Sequence, residues 1–202
     1  MFERYQDIVD EVDAVSIVTP TVTHYKLAKY FLDNKVHVLL EKPMTESVAQ
    51  AKKLNTIAKE NKCVLQIGHL EQFNPAIRKL RKNDCKPQFI EVHRLCQFNP
   101  RANDVDVVLD LMIHDIDIVL SIVNKKIDSI EVSGKKILTN LTDIANVRIK
   151  FKDNIVANLT ASRISNKNER KMRIFSSNSY YSIDFINNEL KKIYKDKKNS
   201  FK

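Results

Sequence analysis

Glycine is nearly absent: Gly68 and Gly134 are the only two in 202 residues, 66 positions apart. No standard glycine-rich phosphate loop can be assembled from that pair. A run of about 20 apolar residues, the length a membrane helix needs, is also lacking. The opening stretch Met1-Phe2-Glu3-Arg4-Tyr5-Gln6-Asp7 has no apolar signal core, so export by a signal peptide is not expected. Cys63, Cys85 and Cys96 form no CxxC and leave one thiol over in any pairing, which favours a reducing cytoplasm over a disulfide scaffold. A metal reading would need Cys85, His93 and Cys96, but 93 and 96 fall on a predicted strand where i and i+3 face opposite ways, so no metal is expected. There is no G-x-S-x-G hydrolase elbow and no internal repeat.

With 43% hydrophobic and 29% charged residues, the chain is too apolar for disorder and long enough for one large domain or two small ones. The net charge of +9 gathers at the end, where the last dozen residues hold six Lys and one Asp. Such a tail, with Tyr194 and Phe201 in it, can touch nucleic acid. The plainer reading is a solvated terminus, and no nucleic-acid motif stands beside it, so neither a nucleic-acid nor a membrane partner is expected.

Residues 13–20 form a β-branched run stopped by Pro20 and read as a buried strand. A helix is predicted over 22–34, with Tyr25, Leu27, Ala28, Phe31 and Leu32 as its apolar stripe and Thr21 or Thr23 as cap. Further along come a strand at 36–40, a helix capped by Thr45 and running to Asn61, and a strand at 63–67 closed by Gly68. Strand, helix, strand, helix, strand with short connections implies a parallel sheet with right-handed crossovers. Ligands in such sheets sit beyond the carboxyl ends of the strands. Those ends are Thr19-Pro20, Glu41-Lys42-Pro43 and Gly68-His69-Leu70-Glu71.

Beyond Gly68 the pattern changes. A helix over 73–82, an extended stretch over 88–98 and a long helix over 104–123 lead to alternating runs at 127–138, 142–151, 154–163, 171–176 and 179–185. These read as a mostly antiparallel sheet with turns such as Lys152-Asp153-Asn154. The fold class is thus α/β plus α+β. The chain divides into 1–68, 69–186 and a basic tail at 187–202.

Two places suit chemistry. In the apolar stretch 107–120, Asp110 and His114 are four apart and share a helix face, with Asp106 a turn earlier. A carboxylate beside an imidazole fixes which ring nitrogen holds the proton, an arrangement suited to proton transfer. The plainer alternative is an ordinary i, i+4 pair. Lys42 sits at the sheet's carboxyl edge, where an ammonium can stabilise negative charge developing on oxygen. Its plainer alternative is a loop lysine paired with Glu41.

These segments together resemble the Gfo/Idh/MocA family of NAD(P)-dependent sugar oxidoreductases. The resemblance rests on 13–20 with His24, on 36–43 ending Glu41-Lys42-Pro43, on Gly68-His69-Leu70-Glu71-Gln72-Phe73-Asn74-Pro75, and on Asp110-Leu111-Met112-Ile113-His114-Asp115-Ile116-Asp117. It covers roughly 10–185, and Glu-Lys-Pro followed by Asp-x3-His is a specific combination. The stretch 94–101 with Asp104-Val105 looks like the subgroup acting on nucleotide-linked amino sugars, including UDP-N-acetylglucosamine 3-dehydrogenase. The implied reaction is hydride transfer between nicotinamide and a sugar or nucleotide-sugar hydroxyl or ketone, with NAD or NADP as cofactor. In that scheme Lys42 holds or protonates the reacting oxygen, His114 is the acid/base and Asp110 orients it. Thr19, Pro20, His24, Glu41, Lys42 and His69 line the cofactor. Glu71, Asn74, Arg94 and Arg101 lie toward the substrate, and the two guanidinium groups suit a phosphate. Relatives often associate through the open face of the second sheet, so a homo-oligomer is expected.

The chain departs from the family pattern at its start, where relatives carry a strand, G-x-G-x-x-G and helix that would bind the pyrophosphate. At its end relatives continue with further elements, and at position 72 many have Arg where this chain has Gln. The second domain is therefore expected to be incomplete at its C-terminus, and NAD(H) binding by the chain alone to be weak. Two competing readings are a truncated, inactive remnant that no longer binds the dinucleotide and a basic interaction module acting through the tail.

Overall fold

The computed structural model describes residues 2–83, 85–100 and 105–194. It divides between His69 and Leu70 into two compact units.

The first unit is a three-stranded parallel sheet in the order β1 (Ala14–Ile17), β2 (His37–Leu40), β3 (Leu65–Ile67). Val15 lies opposite Val38, and Leu40 opposite Ile67. The helices α1 (Thr21–Asp33) and α2 (Val48–Glu60) make the crossovers. Ile17, Val38 and Leu40 from the strands meet Ala28, Phe31, Leu32, Leu54 and Ala58 from the helices in one buried cluster. Each large aliphatic side chain sunk there contributes about 1.5–3 kcal/mol. A short 3-10 helix, Tyr5–Glu11, packs Tyr5 edge-on against Tyr30 with centroids 5.1 Å apart.

Two expected caps differ from the sequence reading. Pro20 occupies the N-cap of α1, and Thr23 Oγ1 donates to Pro20 O instead of accepting a helix N–H. Ser47 caps α2 by accepting from Gln50 N, because the chain stays extended two residues beyond Thr45, whose hydroxyl donates to Ser47 O.

Neither glycine has a positive φ. Each instead marks a close approach: a Cβ on Gly68 would lie 2.9 Å from Glu41 Oε1, and one on Gly134 2.9 Å from Thr142 Cγ2. Left-handed backbone is carried by Lys35, Lys62, Asn124, Asp153, Asn154 and Asn188.

In the second unit a 3-10 turn (Leu70–Phe73) and α3 (Pro75–Arg81) precede the central strand β4 (Phe89–Leu95). A π-helical turn, Val108–Met112, runs directly into α4 (Ile113–Val123). The remaining strands are β5 (Ile127–Lys135), β6 (Ile144–Phe151), β7 (Val156–Ser162), β8 (Glu169–Phe175), β9 (Ser179–Asp184) and β10 (Glu189–Tyr194). The sheet order is β10-β9-β8-β4-β7-β6-β5, antiparallel except for β4 against β7. One face alternates Ile90, Val92, Val147, Ile149, Leu159, Met172 and Ile174 against Ile77, Leu80, Ile118 and Val119 of the helices. The other face is polar, as expected of an antiparallel sheet with one solvated side.

Candidate functional site

In the first unit the three strand ends are tied together. His24, on the first turn of α1, is 1% exposed. Its Nε2 faces Thr19 O and its Nδ1 faces Pro43 O, both at 2.8 Å. Carbonyl oxygens only accept, so an imidazole with one N–H serves one of these contacts and an imidazole with two serves both. Thr19 Oγ1 hydrogen-bonds Thr23 Oγ1 at 2.6 Å. Glu41 extends the sheet, with its N–H donating to Ile17 O, and its carboxylate accepts from Lys42 N at 3.2 Å. The missing side chain of Gly68 leaves the space that this carboxylate fills. Lys42 is half-buried and followed by a cis peptide to Pro43. His69 Nδ1 is buried with no hydrogen-bond partner among the described residues. Thr19, Pro20, His24, Glu41, Lys42 and His69 therefore gather at one end of this sheet.

The second unit builds its polar centre from charge. Arg94 points to the core face of β4 between apolar neighbours and is 3% exposed. Its Nε and Nη2 both donate to Asp115 of α4 at 2.8 Å, and its Nη1 donates to Glu71 at 3.2 Å. The Phe185 ring lies 5.5 Å from the guanidinium carbon. Burial works against the Arg94 charge, but Asp115 and then Glu71 outweigh it and hold its pKa above the ordinary value. Asn74 caps α3 through Ala76 N, and its amide donates to Glu71 and to Asn188. Gln72 donates to Asp117 and accepts from Arg81. Glu71, Asn74 and Arg94 thus share one network, with Arg94's fork turned toward carboxylates of its own chain.

Asp110 lies in the π turn and His114 in the first turn of α4, both half-buried. The expected regular helix over 104–123 is replaced at its start: Ile113 N donates to Val108 O, five residues back. Such turns recur at functional sites. Asp106 does not extend a helix face. It caps the turn, its Oδ1 accepting from Val108 N and Leu109 N at 2.9 and 3.0 Å. Burial first, and the Asp110 carboxylate second, push the Cys96 thiol up against the pull of Arg170 and Arg163. That thiol is not an activated nucleophile. Arg101 and Asp104 lie outside the described residues.

A second buried hub stands behind this turn. Asp143 Oδ2 accepts from the backbone of Ile137, Leu138 and Thr139 at 2.8, 2.7 and 2.9 Å, and its Oδ1 accepts from Thr139 Oγ1. Arg163 Nε lies 3.2 Å from the same carboxylate, while its Nη1 and Nη2 donate to Val105 O and Thr142 O. Val107 N also donates to Thr142 O. The ion pair therefore pins the segment that leads into Asp110 and His114. Sequence reading missed Asp115, Asp143 and Arg163. The one available signal was Arg94 itself, a charge at an inward position of an alternating strand.

Among the described residues no group of three or more His, Cys, Asp or Glu is arranged to hold a metal ion, and no helix is long and apolar enough to cross a membrane.

Comparison with known proteins assigns both units. Residues 1–69 match the oxidoreductase family with an NAD-binding Rossmann fold, and 86–182 match the GFO/IDH/MocA C-terminal domain. The chain belongs to the Gfo/Idh/MocA family of oxidoreductases, whose cofactor is NAD or NADP. More particularly, it is 40% identical over 190 residues to UDP-N-acetylglucosamine 3-dehydrogenase of Acidithiobacillus ferrooxidans, a match taking in 94% of this chain and 61% of that protein. A solved structure of that dehydrogenase superposes with a TM-score of 0.92 at 39% identity, covering 96% of this chain and 65% of the other. The scyllo-inositol 2-dehydrogenase (NAD(+)) of Bacillus subtilis is 29% identical over 170 residues, 76% of this chain and 49% of its own length. The chain thus spans about half to two thirds of the length of these relatives.

Proposed function

We propose that this chain serves hydride transfer between a nicotinamide dinucleotide and a sugar hydroxyl or ketone, with a nucleotide-linked amino sugar as substrate. The observation that carries this reading is the 40% match to a UDP-N-acetylglucosamine 3-dehydrogenase, which takes in 94% of the chain and so reaches into both units.

The bound nicotinamide supplies or accepts the hydride. The rest falls to the chain's own side chains. Thr19, Pro20, Glu41 and His69 line the nicotinamide side, where the unpartnered Nδ1 of His69 offers a polar contact to a ligand. His24 keeps the Thr19 and Pro43 segments in fixed register. The Lys42 ammonium holds the reacting oxygen and stabilises charge developing on it. When the hydroxyl is oxidised, its proton passes to the His114 imidazole, which Asp110 orients; in the reverse direction His114 returns it. Glu71 and Asn74 face the substrate, and Arg94 holds Glu71 and Asp115 in place. Arg101 is assigned to the phosphates. Three cysteines with no disulfide between them suit the reducing cytoplasm, where we place the protein. Self-association through the second sheet is part of the reading.

The test is turnover of UDP-N-acetylglucosamine by the full chain at high NAD(P)+ concentration, followed by nicotinamide absorbance. Turnover is expected, with Lys42→Ala and His114→Ala each slowing it by about 10²-fold or more. No turnover by the native chain, or near-native rates in either variant, overturns the reading. Among the described residues no feature favours an inactive remnant or a basic interaction module.

A further inference from the structure

Asp110 and His114 lie on a stretch of chain that buried arginines hold from both sides. The register partner of Arg94 on the parallel strand β7 is Ala161, two residues before Arg163. Alternation therefore brings both guanidinium groups to the helix-covered face, at the carboxyl ends of neighbouring strands. Both residues are 3% exposed. Arg163 reaches the near side of the π turn. Its Nη1 donates to Val105 O at 3.1 Å and its Nη2 to Thr142 O at 2.9 Å, and Thr142 O also accepts from Val107 N. Arg94 grips the far side through both oxygens of Asp115, the residue after His114. Asp143 backs the first grip. Its carboxylate accepts from the backbone of Ile137, Leu138 and Thr139 and from the Thr139 hydroxyl, and lies 3.2 Å from Arg163 Nε. Its carbonyl accepts from Arg163 N.

These anchors bear on the turn between them. A π turn sets one more residue between bonded groups than an α turn, and it is the rarer form. If Val108–Met112 relaxed to α geometry, the chain before it would rotate by about 100° relative to α4. Either the contacts at Val105 and Val107 or the Arg94–Asp115 pair would then break. We propose that Arg163 and Asp143 are positioning residues: opposed by Arg94, they hold the 108–112 turn in its π form and so set the His114 imidazole against the Asp110 carboxylate. They act through His114 and not on the substrate. The proposal rests on the reading of His114 as the acid/base.

Imidazole 1H–15N correlation spectra of the full chain test this without requiring turnover. The chain has five histidines, and His114→Gln identifies the His114 signals by their loss. Arg163→Met removes the grip on Val105 O and Thr142 O, while the Asp143 carboxylate keeps its donors from 137–139. The His114 signals are expected to shift. Exchange of the 108–113 amides should quicken by about 10-fold or more relative to those of β8 and β9. Ile174→Val, which trims the buried core on β8, should leave the His114 signals and that ratio unchanged. If Arg163→Met does not fold, Arg163→Lys, whose single ammonium cannot span both carbonyls, should move the same signals. In turnover assays Arg163→Lys should lower kcat by about 10-fold or more with KM for the dinucleotide unchanged. His114 signals that stay in place in the folded Arg163 variant overturn the proposal, as does a shift with kcat and KM both native. Shifted signals in a chain that turns over no sugar uphold the clamp and overturn the catalytic reading alone.

Discussion

The two units solve the problem of buried polar groups differently. In the first, the buried polar side chains among the described residues are Thr21, His24 and Thr45, and His24 and Thr45 bond main-chain carbonyls. In the second, Arg94 meets Asp115 and Arg163 meets Asp143, four side chains that are all 3% exposed or less. A clasp onto backbone leaves only a polar group unpaired when it is cut. A cut buried ion pair leaves a full charge in a poor solvent. The second unit should therefore be the more fragile to a single substitution and the more sensitive to pH.

The largest effect expected from that difference is at Asp115. Asp115→Ala removes both acceptors of the Arg94 Nε and Nη2 and leaves the guanidinium with Glu71 alone. Loss of one partner of a buried pair costs about 3–5 kcal/mol. Arg94→Met in the same background should recover part of the loss, because the stranded charge is then gone. In the first unit His24→Phe should cost only about 1–3 kcal/mol, the range for hydrogen bonds lost from a buried group. Urea unfolding of the variants gives the ordering. If His24→Phe proves as damaging as Asp115→Ala, the contrast between the units fails.

The acid response comes next. Burial works to raise the Asp143 pKa, but the N–H groups of Thr139 and Ile137, the Thr139 hydroxyl and the Leu138 N–H outweigh it and hold the carboxyl far below its usual range. A group whose pKa is depressed by folding stabilises the fold fully above its unfolded value, about 4, and that contribution is lost as pH falls toward the folded value. The native chain should therefore lose stability between about pH 5 and pH 2 more steeply than Asp143→Asn, which starts lower but lacks this titration. Amide exchange in β5 and β6, measured at several acid pH values, reads the slope. Equal slopes would mean that the carboxylate is not held by these donors.

Why the first unit was the more legible follows from the same contrast. Its strands, helices and strand ends are written in local runs: a β-branched segment stopped by Pro20, an apolar stripe from Tyr25 to Leu32, Glu41-Lys42-Pro43 after an apolar strand. The groups that gather at its sheet edge are those the order of elements predicts, because the contacts join neighbouring segments. In the second unit the alternation of 127–185 gave the strands. Their pairing was hidden, since β4 lies parallel to β7, more than sixty residues on. The strand Glu189–Tyr194 was read as part of a basic tail because two of its six residues are lysines. Lys192 nevertheless sits on the core side, its ammonium 5.2 Å from the Tyr181 ring centre and 4.6 Å from that of Tyr194. Such a lysine buries its stem while keeping its charge served. Asp115 looked like one more acid in an acidic helix. Nothing within a few residues of it shows that Arg94 is its partner.

The smallest expected effect concerns the scarcity of glycine, which the two units also meet differently. α1 and α2 each end in a Schellman turn: Val36 N donates to Phe31 O and Lys35 N to Leu32 O, while Cys63 N donates to Ala58 O and Lys62 N to Lys59 O. The left-handed residue in each is a lysine, with φ of 64° at Lys35 and 56° at Lys62. In the second unit that conformation falls to Asn124, Asp153, Asn154 and Asn188, residues whose short polar side chains tolerate it. Glycine at position 62 would relieve about 1–2 kcal/mol of steric cost. Against this stand about 0.5–1 kcal/mol of added freedom in the unfolded chain and about 0.3 kcal/mol for removing a cation near a helix C-terminus. The balance leaves Lys62→Gly more stable by about 0.5 kcal/mol, and Asn124→Gly close to neutral because asparagine begins with less strain. Paired urea midpoints would resolve the two. A gain at 124 equal to that at 62 would show that the side-chain type at these turns does not matter.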